Sequence, residues 1–222
     1  MSNENVAPSQ TLDRGLACLD VVAASDHGVS VDEASKALGL HRSIVYRLLR
    51  TLELRHLVER DAEGDFLPGP YLAVLSRSVR RALRAAAAPV LAGVAEDLHM
   101  TAFLVVADGD EAITVDSVEP TSFNAHVAYR PGTRHAIDRG APGIALLAGR
   151  PAVPGERPEV TRARHVGWAE SNAEVIPGLA SIAVPVSDQG AIAVLWLAGT
   201  AVDMSRVVDC LKTAAAKVAS AQ

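Results

Sequence analysis

The sequence predicts an α+β chain of two domains: an N-terminal winged helix-turn-helix, a linker helix, and a C-terminal sensor-like α/β domain on an antiparallel sheet. Three observations carry that prediction. Three short helical patterns run directly into a strand–turn–strand segment. An alanine- and arginine-rich stretch, "YLAVLSRSVRRALRAAAA", follows them. After it, β-rich runs alternate with short helical ones and end on an amphipathic helix. With 222 residues, nearly half of them apolar, the chain can fill two modest cores.

The opening "MSNENVAPSQ", residues 1–10, reads as a disordered lead-in. It has neither the basic start nor the apolar stretch of a secretory signal. Residues 11–70 form the first domain. Thr11 caps a helix whose Leu12, Leu16, Leu19 and Ala23 follow helical spacing, ending near "SDHG". Next, Ser30 with Glu33 three places on is a capping box, in which hydroxyl and carboxylate each satisfy an orphan backbone N–H. Gly39 supplies the left-handed residue that closes this helix. A third helix runs from about His41 to Arg55, and "LVERDAEGDFLPG" is a hairpin with its tip at 61–64 and Pro68 closing it.

Residues 71–88 predict one stiff linker helix, since alanine and arginine both favour helix; Leu72, Leu75, Val79 and Leu83 form its stripe. Pro89 breaks it and opens the next helix. Residues 89–222 make the second domain. "TAFLVVAD", "EAITVDSVE" and "FNAHVAY" are β-rich, "RPGT" is a tight turn and "GAPGIALLAG" a short helix. The proline-rich stretch 150–160 is irregular. "LASIAVPVSD" and "AIAVLWLAG" flank "QG" as a hairpin, and the last helix puts Met204, Val207, Val208, Leu211, Ala215 and Val218 on one face.

Charge is unevenly shared. Residues 1–88 are balanced, and the remainder carries the whole net charge of −5. Yet Lys36, Arg42, Arg47, Arg50, Arg55 and Arg60 crowd a short segment against Glu53 and Glu59. On the third helix Val45, Leu48, Leu49 and Leu52 share one side, while Ser43, Tyr46, Arg47 and Arg50 share the other, with Arg42 on the flank. An isolated arginine-bearing face is usually a solvated one. Here it is the second helix of a helix-turn-helix pair, the one that enters the major groove, where arginine donates twice to guanine and hydroxyls reach phosphate or base edges. Arg42, Ser43, Tyr46, Arg47 and Arg50 are therefore the candidate DNA contacts, and Arg60 before the hairpin tip is a backbone or minor-groove contact. Tyr46 has an equal claim to plain packing at the helix edge.

No apolar run reaches the roughly 20 residues of a membrane span. Cys18 and Cys210 form no metal-ligand or disulfide pattern, so no metal or cofactor is expected, and the simplest placement is the cytoplasm. His99, His126, His135 and His165 are scattered, and no nucleophile elbow, zinc-protease or phosphate-loop motif accompanies them, so no catalytic residue is expected.

"TLDRGLACLDVV", "VDEASKALGLHRSIVYRLLRTLELRHLVER" and "GDFLPGPYLAVL" resemble the DNA-binding domain of the IclR family of bacterial transcriptional regulators. "RPGTRHAIDRGAPGIALLAG", "RARHVGWAESNAEVIPGLASIAVPVSD" and "AIAVLWLAGT" are similar to that family's effector-binding domain, in the expected order. The resemblance implies a GAF/PAS-like second domain and a homodimer or tetramer on a partly palindromic double-stranded operator. It also implies control by a small carboxylic or aromatic acid. Carried onto this chain, the effector pocket comprises Gly140 and Ala141 at a helix start, Ser171 and Ser181 on the strand side, and Trp196 and Ala198 where relatives carry small hydroxyl residues. A helix start suits a carboxylate because its unpaired N–H groups and dipole favour an anion. The chain departs from the family in a shortened 150–160 segment, in Ile44 for a common threonine and in His56 for a common glycine. A second domain that serves only dimerisation remains an alternative.

Overall fold

A computed structural model describes residues 8–121, 127–186 and 190–221. The chain divides into two compact units, Met1–Val79 and Arg80–Gln222.

In the first unit, helix α1 (Gln10–Ala24) begins after Ser9, so Thr11 lies within the helix and is not its cap. Its buried side is Gly15, Cys18 and Val22, and Leu12 and Leu16 stay exposed. Helix α2 (Val31–Leu38) has the expected capping box, with Glu33 N–H donating to Ser30 Oγ at 3.2 Å and Ser30 N–H to Glu33 Oε2 at 2.9 Å. Gly39 ends it at φ +62°. Helix α3 (Arg42–Leu54) follows, and strands β1 (Val58–Arg60) and β2 (Phe66–Pro68) pair antiparallel as the wing. Val22, Ala34, Val45, Leu49, Val58 and Phe66 close a core over which the three helices and the wing fold. His56, where the family pattern favours glycine, does take a left-handed φ of +58°, and its carbonyl passes so close to Gly69 that a Cβ there would lie 2.3 Å from it.

The expected continuous linker helix over 71–88 is instead two helices, α4 (Tyr71–Ser76) and α5 (Arg81–Leu98). Arg80 breaks them apart at φ +47°. Pro89 does not break the chain but sits inside α5; burial of Leu83, Ala87, Leu91, Val94 and Leu98 along one face carries the helix through the one hydrogen bond the ring removes.

The second unit is a six-stranded antiparallel sheet. Its strands are β3 (Thr101–Asp108), β4 (Glu111–Val118), β5 (Arg134–Ala136), β6 (Ala169–Asn172), β7 (Leu179–Val186) and β8 (Gly190–Leu197), in the order β5-β4-β3-β8-β7-β6. Helices α5 and α8 (Met204–Ser220) pack on one face against Leu104, Ile182, Ile192 and Val194. Helices α6 (Gly140–Ala148) and α7 (Pro158–Val166) cover the other against Phe103, Val105, Ala183 and Ala193. Both faces being covered, β3 and β8 read as continuous apolar runs without alternation. The α6 face is rich in alanine, which lets the helix sit close; a Cβ at Gly143 would lie 2.2 Å from the Ile137 carbonyl. Of the β-rich run expected at 123–129, residues 123–126 lie outside the described residues, and 127–129 form no strand. Of the expected "QG" turn, Gln189 also lies outside them, and Gly190 opens β8. The short β5, β6 and α7 were not anticipated, and α7 starts at Pro158, inside the stretch expected to be irregular.

Candidate nucleic-acid interface and effector pocket

Helix α3 starts where His41 caps it, its Nδ1 accepting from the Ser43 N–H at 3.3 Å. Val45, Leu49 and Leu52 anchor one side in the core. Ser43, Tyr46, Arg47 and Arg50 lie exposed on the other side, as the wheel predicts. The arginines are not equivalent. Arg42 places one guanidinium nitrogen 2.7 and 2.6 Å from the two carboxylate oxygens of Asp32, on the first turn of α2. Arg50 pairs with Glu53 at 2.6 Å, and this raises its pKa further. Arg60 reaches the same Glu53 oxygen at 3.5 Å and lies over the Phe66 ring, 4.4 Å from its centroid, and at 5.8 Å from that of Tyr46. Among the described residues, the Arg47 guanidinium alone of these four meets no carboxylate. The wing is acidic: Glu59, Asp61, Glu63 and Asp65 surround its single cation, Arg60.

In the second unit, Gly140 opens α6 at φ +72°, and a Cβ there would meet Val175 at 2.6 Å. Its N–H does not point at empty space. It donates to Glu174 Oε2 at 2.9 Å, and the Ala141 N–H donates to Ser171 Oγ at 2.9 Å. Ser171 Oγ lies 3.0 Å from Ser181 Oγ. Arg157 donates to Glu174 Oε1 at 2.6 Å and to the Asp138 carbonyl at 2.5 Å, and Arg139 donates to the Glu174 carbonyl at 3.1 Å. Burial pushes the Glu174 carboxyl up, but Arg157 and the Gly140 amide outweigh it and hold the group below the usual carboxylate range. The chain's own carboxylate thus occupies the place at the helix start that suits an anion. Behind it lies a cavity of about 30 Å³ bounded by Phe103, Tyr129, Val175, Ile176, Leu179 and Leu195. That holds a water or two, against the several hundred cubic ångströms of an ordinary ligand pocket. Tyr129 packs on Phe103 with ring centroids 4.6 Å apart; burial raises its hydroxyl pKa, and a hydrogen bond with Thr114 opposes that.

Of the residues expected at the pocket, Gly140, Ala141, Ser171 and Ser181 come together. Trp196 does not join them. On β7 and β8, Ser181 pairs with Leu195 and Ala180 with Trp196, so Trp196 turns to the α5–α8 face. There it lines a separate cavity of about 480 Å³ with Leu98, Met100, Val202 and Arg206. Ala198 lies just past β8, its N–H donating to the Gly178 carbonyl at 2.8 Å, and lines neither cavity. A one-residue error of side follows from the strand's period of two.

Comparison with known proteins identifies the architecture. The IclR helix-turn-helix domain matches residues 11–62. The HTH-type transcriptional regulator Rv1719 of Mycobacterium tuberculosis is 33% identical over 149 residues, covering 67% of this chain and 56% of that protein's length. An IclR transcriptional regulator from Alicyclobacillus acidocaldarius superposes with a TM-score of 0.76 at 24% identity, over 96% of this chain and 99% of that one. An IclR homologue from Microbacterium hydrocarbonoxydans, solved with 4-hydroxybenzoate, superposes with a TM-score of 0.75 at 19% identity, over 95% and 98%. The chain belongs to the IclR family.

These relatives are transcriptional regulators, which agrees with a chain expected to hold no catalytic residue. Within this IclR protein four residues escape a reading of the sequence. Glu53 is three residues from Arg50, a spacing that signals an ion pair, but its second partner sits on the wing. Asp32 is legible as an acid complementing a helix start, although its partner is ten residues away. Glu174 and Arg157 lie in irregular segments 17 residues apart, and no local pattern links them.

Proposed function

We propose that this IclR-family protein is a dimeric or tetrameric, cytoplasmic DNA-binding transcriptional regulator. In this reading it grips a partly palindromic operator and answers to a small organic acid. The observation that carries the reading is α3: a helix anchored by Val45, Leu49 and Leu52 presents Ser43, Tyr46 and Arg47 to solvent at the place in a helix-turn-helix that enters the major groove. Arg42, Arg50 and Arg60 supply phosphate contacts once they leave their carboxylates. The effector enters at Gly140, Ala141, Ser171 and Ser181 after the 173–178 segment, with Glu174 and Val175, moves aside. The 4-hydroxybenzoate of the Microbacterium relative supports an aromatic acid as the ligand class. A ligand that prefers one placement of the DNA-binding units shifts the population towards it; equal affinity for both placements shifts nothing.

One observation favours a second reading, in which the C-terminal unit only assembles the oligomer. The cavity at the α6 start is about 30 Å³, and its best anion donor is already engaged by Glu174. A single titration separates the readings. Duplex from the protein's own upstream region is retarded, with log affinity falling steeply against log salt, because phosphate contacts release counterions. Repeating it with a panel of aliphatic and aromatic carboxylic acids shifts the retardation if the unit senses them. Absence of salt-dependent retardation at every promoter tried defeats the regulator reading. Unchanged retardation across the acid panel leaves the assembly-only version standing.

A further inference from the structure

We infer that Glu53 is a specificity-determining residue of the DNA interface: a built-in competitor for phosphate that weakens sequence-independent binding more than operator binding. The inference rests on the DNA-binding reading above and extends it to a residue that touches no base.

Four arginines serve this face, and the structure sorts them by neighbour. Glu53 Oε2 holds Arg50 at 2.6 Å from its own helix and Arg60 at 3.5 Å from the wing. Asp32 holds Arg42 with both oxygens. Arg47 is left bare. Arg50 on α3 and Arg60 on the wing are neighbouring cations at the edge of this face, and one carboxylate oxygen services both. A phosphate that takes either arginine must displace Glu53 and then lie near its negative charge. The wing adds to the effect, since Glu59, Asp61, Glu63 and Asp65 repel the backbone around Arg60. Among the described residues, Arg47, Ser43 and Tyr46 face no such competitor. Binding that relies on phosphates alone therefore loses more than binding that also reads bases, and the ratio between the two rises.

Stabilising the fold does not account for the arrangement. Exposed pairs of this kind contribute little to folding, and the Arg50 and Glu53 side chains retain 44% and 24% of their exposure. What the pair does change is the charge presented to a polyanion.

The test uses the full-length chain and two duplexes, a retarded upstream fragment and a random sequence of equal length, each titrated by fluorescence anisotropy between 50 and 200 mM salt. Glu53→Gln keeps the shape and removes the charge. On random duplex its salt slope steepens by about 0.9 for each arginine released, so each added contact multiplies the fall in affinity across that salt range by about 3.5-fold. The upstream fragment gains less, and the specificity ratio drops. Glu53→Asp retains the charge and keeps the wild-type ratio. If Glu53→Gln leaves the affinity and slope on random duplex unchanged, or raises both duplexes equally, the inference is wrong while the DNA-binding reading survives. If the wild type binds neither duplex in a salt-dependent way, that reading falls and takes the inference with it.

Discussion

Arg47 and Arg50 are three residues apart on one helix and differ in one neighbour. Arg50 is tied to Glu53, whereas the Arg47 guanidinium is exposed and meets no carboxylate among the described residues. A bare arginine near the start of a groove-facing helix is placed for the bidentate contact to guanine, worth about 1–3 kcal/mol of discrimination. An arginine that must first leave a carboxylate contributes mainly charge. Arg47→Ala accordingly lowers operator affinity by about 1–3 kcal/mol and relaxes preference at one base position. Arg50→Ala weakens the operator and its single-base variants alike and reduces the salt slope on them by about 1. Anisotropy titrations on the operator and on single-base variants distinguish the two. Equal losses across all variants for both substitutions would remove Arg47 from the base-reading role. The spacing of residues 42–50 made the exposed face legible in the sequence. It did not show which arginine is free, because Asp32 and the wing reach α3 only through the tertiary fold.

At the scale of elements, the segment between α6 and α7 shows how a proline-rich connection is held. Arg164 on α7 donates to the Leu147 carbonyl at 3.1 Å, to the Arg150 carbonyl at 3.3 Å and to both oxygens of Glu156, with Nη2 to Oε2 at 3.0 Å. Thr161 donates to Glu156 as well, at 2.8 Å. Arg164 first, and then Thr161, hold the Glu156 carboxyl at about 2. A group whose folded pKa lies below its unfolded value of about 4.3 stabilises the fold above that value. The contribution is lost as pH falls from there through about 2. The thermal midpoint of the wild type should therefore decline across that window. Glu156→Gln, which cannot titrate, should start lower at pH 7 and decline less, read by scanning fluorimetry. Parallel curves would show that the contact adds nothing to stability. The proline-rich composition marked this segment as irregular, but its clamp joins residues from three places and no local pattern shows it. By contrast β3, β4, β7, β8, α6 and α8 were legible from their apolar patterns. The three-residue β5 is too short to carry a pattern, and four-residue β6 scarcely does better. The break at Arg80 is the clearest failure of propensity, since every residue from 77 to 84 tolerates helix and nothing local marks the left-handed turn.

At the scale of the molecule, one recognition helix reads too few base pairs to select an operator, and two-fold pairing supplies the second half-site. For the dimer proposed above, the first unit offers an apolar surface suited to such pairing. Leu12 and Leu16 on α1 are 63% and 50% exposed, because the helix turns Gly15, Cys18 and Val22 to the core instead. Val74, Leu75 and Val79, at and just beyond α4, are also about half exposed. The leucine spacing that marks α1 in the sequence therefore marks an outward face, and apolar side chains in such number on one small unit signal an interaction surface. Leu16→Glu places a charge on that face without touching the core. Sedimentation should then show a shift towards monomer at micromolar concentration, and affinity for a palindromic duplex should fall far more than affinity for a single half-site. An unchanged sedimentation profile with unchanged palindrome binding would move the proposed pairing contact off α1, to the second unit or to residues around α4. The comparison of full site with half-site separates loss of pairing from damage to α3, because a damaged α3 loses both equally.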